Sequence, residues 1–178
     1  MVCPAIEHVF FEAIRNGGVT LRAQPKINPE MCFFRIGDEG YYAVEHPVFK
    51  NYFVTTCGNV ISKVHSHGGK SKAPRGTSEP RLLSLCPNKD GYVTLSITKG
   101  VGQTSQHYVH RMVADTYFEN PSPDANGNKR YEVNHINGIR GDNRLTNLEW
   151  NSIAENRAYK NVLKEIEAER VALNRKKD

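Results

Sequence analysis

The chain has no Cys-x-x-Cys pair and no long apolar run, and each shortage removes a class of protein. Its four cysteines, Cys3, Cys32, Cys57 and Cys86, stand 25 to 29 residues apart. A structural zinc draws two ligands from one tight turn, so this spacing argues against a cysteine zinc site. Free thiols are expected instead. No apolar stretch nears the ~20 residues that a membrane helix needs, and the mean hydropathy is −0.58. The N-terminus lacks the basic start and apolar core of a secretory signal, so the expected setting is cytoplasmic, with no membrane partner. A phosphate loop is also excluded. The first glycine of a motif ending in Gly69-Lys70-Ser71 would fall at Val64, and no strand–helix setting surrounds it.

What is present is a modest core and a local excess of positive charge. At 178 residues there is room for one ordinary domain or two small ones. The net charge is +5 and the pI about 9.0. From Val60 to Lys99 seven Lys or Arg face two acids, Glu79 and Asp90, which equals the excess of the whole chain. Such a patch suits a phosphate backbone. Lys63, Lys70, Lys72 and Arg75 are its candidate contacts.

Local patterns outline the elements. Ile6–Arg15 predicts a short amphipathic helix stopped by Asn16, Gly17 and Gly18; the stretch on to Gly40 reads as irregular, with a strand at Cys32–Ile36. Tyr52–Val64 predicts a hairpin around Cys57-Gly58-Asn59. His65–Pro80, rich in Gly, Ser, Pro and Lys, reads as a loop whose His65 and His67 are solvated. Tyr92–Thr98 alternates as a half-buried strand, and a Gly-rich turn leads to a second strand ending near His110. Apolar residues at helical spacing follow in RMVADTYF, and Asn120–Arg130 is a loop. Ser152 with Glu155 three residues on forms a capping box, so a long helix starts there. Its stripe of Val162, Leu163, Ile166, Val171 and Leu173 is expected to pack on the core, with a second subunit as the alternative partner. Trp150 is expected in the core.

The most informative stretch is EVNHINGIRGDNRLTNLEWNSIAEN, from Glu132 to Asn156. Asn134 and His135 are adjacent, Asn147 follows twelve residues after His135, and Asn156 nine after that. Two short apolar segments, Glu132–Ile136 and Leu148–Trp150, can pair across an Asn/Gly-rich loop, with the capped helix next. Ile153, Asn156, Tyr159/Lys160 and Leu163 share one helical face, so Asn156 should look inward at the strands. An imidazole with a pKa near 6.5 can take a proton at pH 7, which makes His135 the candidate general base. Arg111, Arg140 and Arg144 stand beside it as candidate phosphate contacts, and His110 and Glu149 are further candidates for a contact.

With the upstream VHR, the Asn-Leu-x-Trp ending and the Glu-Asn on a capped helix, this stretch resembles the HNH endonuclease family in its phage and homing form. The resemblance covers Tyr92 to about Tyr159, and Tyr52–Val64 loosely. It implies an α+β fold: a small ββα-metal (HNH, His-Me finger) core with an N-terminal β-hairpin extension and a long C-terminal helix. The expected divisions are 1–40 without an assigned role, 41–90 for DNA binding, 91–160 as nuclease core, and 161–178 as helix continuation. It further implies His135 as base and Asn147 as the residue tying down the loop that holds the imidazole. Asn134 and Asn156 would be ligands to one Mg²⁺ or Mn²⁺, and double-stranded DNA the substrate. Many members carry Asp or His where this chain has Asn134, and a neutral amide binds Mg²⁺ weakly. The implied activity is phosphodiester hydrolysis of DNA by a one-metal mechanism, nicking or cutting both strands; the rival reading is a DNA-binding module that keeps the fold without catalysis. A homodimer through the C-terminal helix and a phage-encoded enzyme acting in a host cell complete the expectations.

Overall fold

Alternation of side chains builds the first sheet of the computed structural model, which describes residues 29–64, 77–100, 103–121 and 131–175. The expected helix Ile6–Arg15, the basic positions Lys70, Lys72 and Arg75, and most of Asn120–Arg130 lie outside those residues. Strands β1 (Met31–Ile36), β2 (Glu39–Glu45), β3 (Tyr52–Thr55), β4 (Val60–Val64) and β5 (Thr77–Leu82) pair antiparallel in that order. Val44, Tyr52, Val54 and Val60 enter the main core, while their neighbours Ala43, Phe53 and Ile61 join Phe34 and Tyr41 in a second cluster. That split follows the period of two in a strand. The expected hairpin at 52–64 is therefore the middle of a five-stranded sheet, which begins at Met31 and crosses the expected division at residue 40. Adjacent aromatic pairs, Phe33-Phe34 and Tyr41-Tyr42, hide the alternation because one member of each stays exposed.

A three-stranded sheet follows: β6 (Cys86–Pro87), β7 (Val93–Gly100) and β8 (Gln103–Tyr108). Leu95 and Ile97 bury one face of β7. Helix α1 (Val109–Tyr117) continues directly from β8, and Val109, His110, Met112, Val113, Ala114, Thr116 and Tyr117 are all buried. A helix apolar or buried on almost every side belongs at the centre of a domain. It touches β3, β7, β8 and the two strands described next. One long-range bond ties its end to β3, where Tyr117 Oη donates to Val54 O at 2.6 Å, and another joins the two strands it packs on, where Thr98 N of β7 donates to Tyr52 Oη of β3 at 2.9 Å.

Strands β9 (Tyr131–His135) and β10 (Leu148–Ser152) form an antiparallel ribbon with His135 opposite Leu148 and Asn134 opposite Glu149. Val133, Leu148 and Trp150 bury its core side. Helix α2 (Ile153–Arg175) starts where the capping box predicts. Glu155 N donates to Ser152 Oγ at 3.2 Å, and Ser152 N donates to Glu155 Oε2 at 3.1 Å. The class is α+β. The apolar stripe on α2 does not pack on the core at Val162 and Ile166, which are 49% and 55% exposed. Cys32 and Cys86 are free thiols, as expected, whereas Cys57 is disulfide-bonded, against expectation.

The β3–β4 turn is docked on the loop between β9 and β10. Leu145 N donates to Thr56 O at 2.8 Å. Gly58 has φ +84°, and a Cβ there would lie 2.9 Å from both Cβ and the carbonyl oxygen of Asn143. A positive φ and a backbone obstruction both select glycine. Gly58→Ala is expected to destabilise the fold by about 1–3 kcal/mol, read from urea unfolding; wild-type stability would show that the turn and loop are not held together.

Candidate active site

Strand β9 is the floor of a cleft of about 280 Å³. Glu132, Val133, Asn134 and His135 of β9 line it, together with Tyr92, Tyr108, His110 and Arg111 near the start of α1. Gly138 and Arg140 of the β9–β10 loop and Asn156 and Lys160 of α2 complete the wall. Three cations, Arg111, Arg140 and Lys160, thus face one acid, Glu132. The balance favours an anion.

His135 is buried, with Nε2 3.3 Å from Asn143 Oδ1. Asn143 Nδ2 donates to Gly141 O at 3.2 Å, so its oxygen is the atom turned to the ring. Nε2 therefore carries the proton, and Nδ1 of a neutral imidazole is left with a lone pair. Burial lowers the pKa of His135 below its ordinary value; the Asn143 bond and Asp142 oppose this, and Arg140 reinforces it. The ring is consequently neutral at pH 7. His110 meets it edge-on, with centroids 5.1 Å apart. Burial, then the neighbouring His135 and Arg111, push His110 down to about 3, and its Nδ1 is buried without a partner. Tyr92 closes the aromatic group, 5.1 Å from His110 and 5.9 Å from His135.

Asn147 does not line the cleft; it organises the loop beneath it. Its Oδ1 accepts from Asn137 N at 2.9 Å, and its Nδ2 donates to Asn137 Oδ1 at 3.0 Å and Asp142 O at 2.8 Å. By this geometry it positions His135 through the loop and touches no reacting atom.

The two candidate ligands have their amides engaged from the nitrogen end. Asn134 Nδ2 donates to Glu149 Oε1 at 2.9 Å, and Asn156 Nδ2 donates to Glu132 Oε2 at 2.5 Å. Asn156 Oδ1 is buried with no hydrogen-bond partner, on a residue only 2% exposed. An orphaned buried acceptor beside an open cleft fits a cation ligand. Among the described residues no three His, Cys, Asp or Glu gather as a metal cage. The donor set is therefore one of amide oxygens, which suits a hard divalent ion only weakly unless an anionic ligand joins it.

The basic candidates divide. Arg111 and Arg140 line the cleft. Arg140 Nη1 donates to Asp90 O at 2.7 Å while its guanidinium lies 5.0 Å above the Tyr92 ring. Arg144 is not a cleft residue: it pairs with Asp142 at 2.6 Å and holds that carboxyl down at about 2. Lys63 lies on β4, also away from the cleft. Lys160 shares the helical face of Asn156, as its spacing predicts, whereas Asn143, Tyr92 and Glu132 carried no sequence signal for a place in the site. Asn143 is one Asn among several in an aperiodic loop, and Tyr92 is distant in sequence.

Residues 107–158 match the family model for HNH endonucleases. Over this segment the chain is similar to the HNH endonucleases. Two uncharacterized HNH endonucleases of Acanthamoeba polyphaga mimivirus are similar to it. One is 33% identical over 108 residues, covering 61% of this chain and 22% of the relative. The other is 30% identical over 154 residues, covering 79% of this chain and 40% of the relative. The chain thus spans less than half the length of either relative. A solved structure of the HNH homing endonuclease I-HmuI aligns with a TM-score of 0.47 and 23% identity, over 73% of this chain and 65% of that one. Among the described residues no helix is long and apolar enough to cross a membrane.

The buried HNH-segment imidazole of His110 has a consequence for stability. Between its ordinary 6.5 and its folded value of about 3, the unfolded chain binds a proton that the native chain does not. Stability therefore falls as the pH falls through that window, by up to about 1.4 kcal/mol per pH unit. His110→Gln is expected to flatten the dependence of Tm on pH between 6.5 and 5; an unchanged slope would assign the effect to other groups.

Proposed function

We propose that the chain is a metal-dependent DNA endonuclease whose ββα-metal core is formed by β9, β10 and the start of α2. The carrying observation is that His135, Asn134 and Asn156 line one open cleft with Arg111 and Arg140. In this reading Nδ1 of His135 takes a proton from water as the oxygen attacks phosphorus in line. The bond from phosphorus to the 3′-oxygen breaks and that oxygen takes a proton from solvent, leaving a 5′-phosphate and a 3′-hydroxyl. Asn134 and Asn156 would hold one Mg²⁺ or Mn²⁺, which when bound supplies charge stabilisation at the phosphoryl and leaving oxygens.

The rest of the chain's part is positioning. Arg111 and Arg140 clamp the phosphates that flank the cut. Helix α1 begins at the cleft with no side-chain cap and no acid in its first turn, so its dipole adds to the attraction for an anion. Asn147 keeps the loop closed under His135. Because both ligands are neutral amides, the phosphate of double-stranded DNA brings much of the charge the cation needs, and cation and substrate bind together.

A second reading, a DNA-binding module without catalysis, is favoured by Asn134 standing where a charged ligand would hold a metal more tightly. Plasmid incubated with the protein, with and without Mg²⁺, separates the two: cleavage only with metal supports the nuclease, and retention without cleavage supports the module.

His135→Ala is expected to lower cleavage by about 10²–10⁴-fold while DNA retention in a gel-shift assay stays near wild type. Normal cutting by that variant removes His135 as the base. Asn156→Ala is expected to lower activity and to regain part of it as Mg²⁺ or Mn²⁺ is raised; a deficit insensitive to metal concentration would point to misfolding at the start of α2.

A further inference from the structure

Two carboxylates that the hydrolysis itself does not require stand beside the two amides. Glu149 lies directly across the ribbon from Asn134, and its Oε1 accepts from Asn134 Nδ2 at 2.9 Å. Glu132 lies two residues before Asn134, on the same face of β9 by the strand period, and its Oε2 accepts from Asn156 Nδ2 at 2.5 Å. An ionised carboxylate offers only acceptors, whereas a primary amide offers a donor nitrogen and an acceptor oxygen. Each pair is therefore satisfied in one of the two flip states of the amide. That state puts nitrogen against the carboxylate and leaves Oδ1 uncommitted.

The unpartnered, buried Oδ1 of Asn156 is the second observation. If Asn156 flipped, its oxygen would meet a carboxylate and its nitrogen would be the orphan. Glu132 prevents this, at the cost of a buried acceptor with no donor in the protein. Neighbouring bonds hold the carboxylates themselves: Asn151 Nδ2 donates to Glu149 Oε1 at 3.1 Å, and Lys160 Nζ lies 3.9 Å from Glu132 Oε2.

We propose that Glu132 and Glu149 are positioning residues that hold the Asn156 and Asn134 oxygens ready for a divalent cation. The inference rests on the reading of this cleft as a metal-dependent nuclease site. Partners that orient metal ligands in this way are commonly worth 10–100-fold in metal affinity.

The test is Mn²⁺ titration of the full chain bound to a short DNA duplex, followed by electron paramagnetic resonance of the free ion against the duplex alone, with plasmid cleavage assayed in parallel. Glu132→Gln and Glu149→Gln keep the size of the side chain but remove the charge and add a donor that permits the flip. Each is expected to weaken Mn²⁺ binding by about 10–100-fold. Asp at either position keeps an acceptor-only group and is expected to recover part of the loss. In an Asn156→Ala background, Glu132→Gln is expected to do little more, since no amide remains to be oriented.

Wild-type affinity in both Gln variants, with a wild-type protein that binds Mn²⁺ and cuts, overturns the positioning role alone. A full further loss from Glu132→Gln in the Asn156→Ala background overturns it for Glu132, which would then be a ligand itself. A wild-type protein that neither takes up Mn²⁺ nor cuts removes the nuclease reading, and this inference with it.

Discussion

Helix α1 buries seven of its nine residues because it is packed against β3, β7 and β8 as well as against the β9–β10 ribbon. Nine residues are too few for a stable isolated helix, which in water needs about 12–15. Tertiary burial must therefore supply what propensity cannot. Met112 and Val113 are almost wholly buried, and side chains of their kind each contribute about 1.5–3 kcal/mol by leaving water. The same packing delivers His110 and Arg111, in the first turn, to the wall of the cleft. Loss of the helix would remove that wall and uncover the ribbon carrying His135.

The ends of the ribbon are secured by different means. Helix α2 is long and starts from a reciprocal cap at Ser152 and Glu155. That cap sets the rotation of its first turns and turns Asn156 towards β9. The β9–β10 loop has little apolar content and is held instead by amide bonds, with Asn147 as the hub. Gly58 brings the β3–β4 turn against Asn143, the residue that sets the His135 tautomer. The five-stranded sheet thus reaches the candidate base through one glycine and one asparagine.

Charge in the cleft is arranged by desolvation. Both imidazoles are kept neutral by burial, and both candidate ligands are amides, so the fixed charges are the cations at the rim and Glu132. Asn134 and His135 on the floor are thus neutral, and the lining as a whole carries a positive balance of three cations to one acid.

Much of the fold could be read from short windows. The alternation in Tyr92–Thr98, the helical spacing after His110 and the cap at Ser152 depend on neighbours a few residues away, and each corresponds to an observed element. The strand expected at Cys32–Ile36 is β1, whereas β2 is obscured because its adjacent Tyr41 and Tyr42 occupy both faces of the sheet. The stripe at Val162 and Ile166 has core-like spacing, yet only the placement of α2 leaves it in solvent. In the site, the sequence alone determined which chemical groups exist and the order in which they follow one another. Tertiary structure decided which of them meet. Glu149 lies 15 residues from Asn134, and Glu132 24 residues from Asn156. Asn143 acts on His135 through a loop with no periodicity. A side-chain amide has no preferred flip and an imidazole no preferred tautomer until a partner is fixed in space, and here packing of the ribbon against α1 and α2 fixes it.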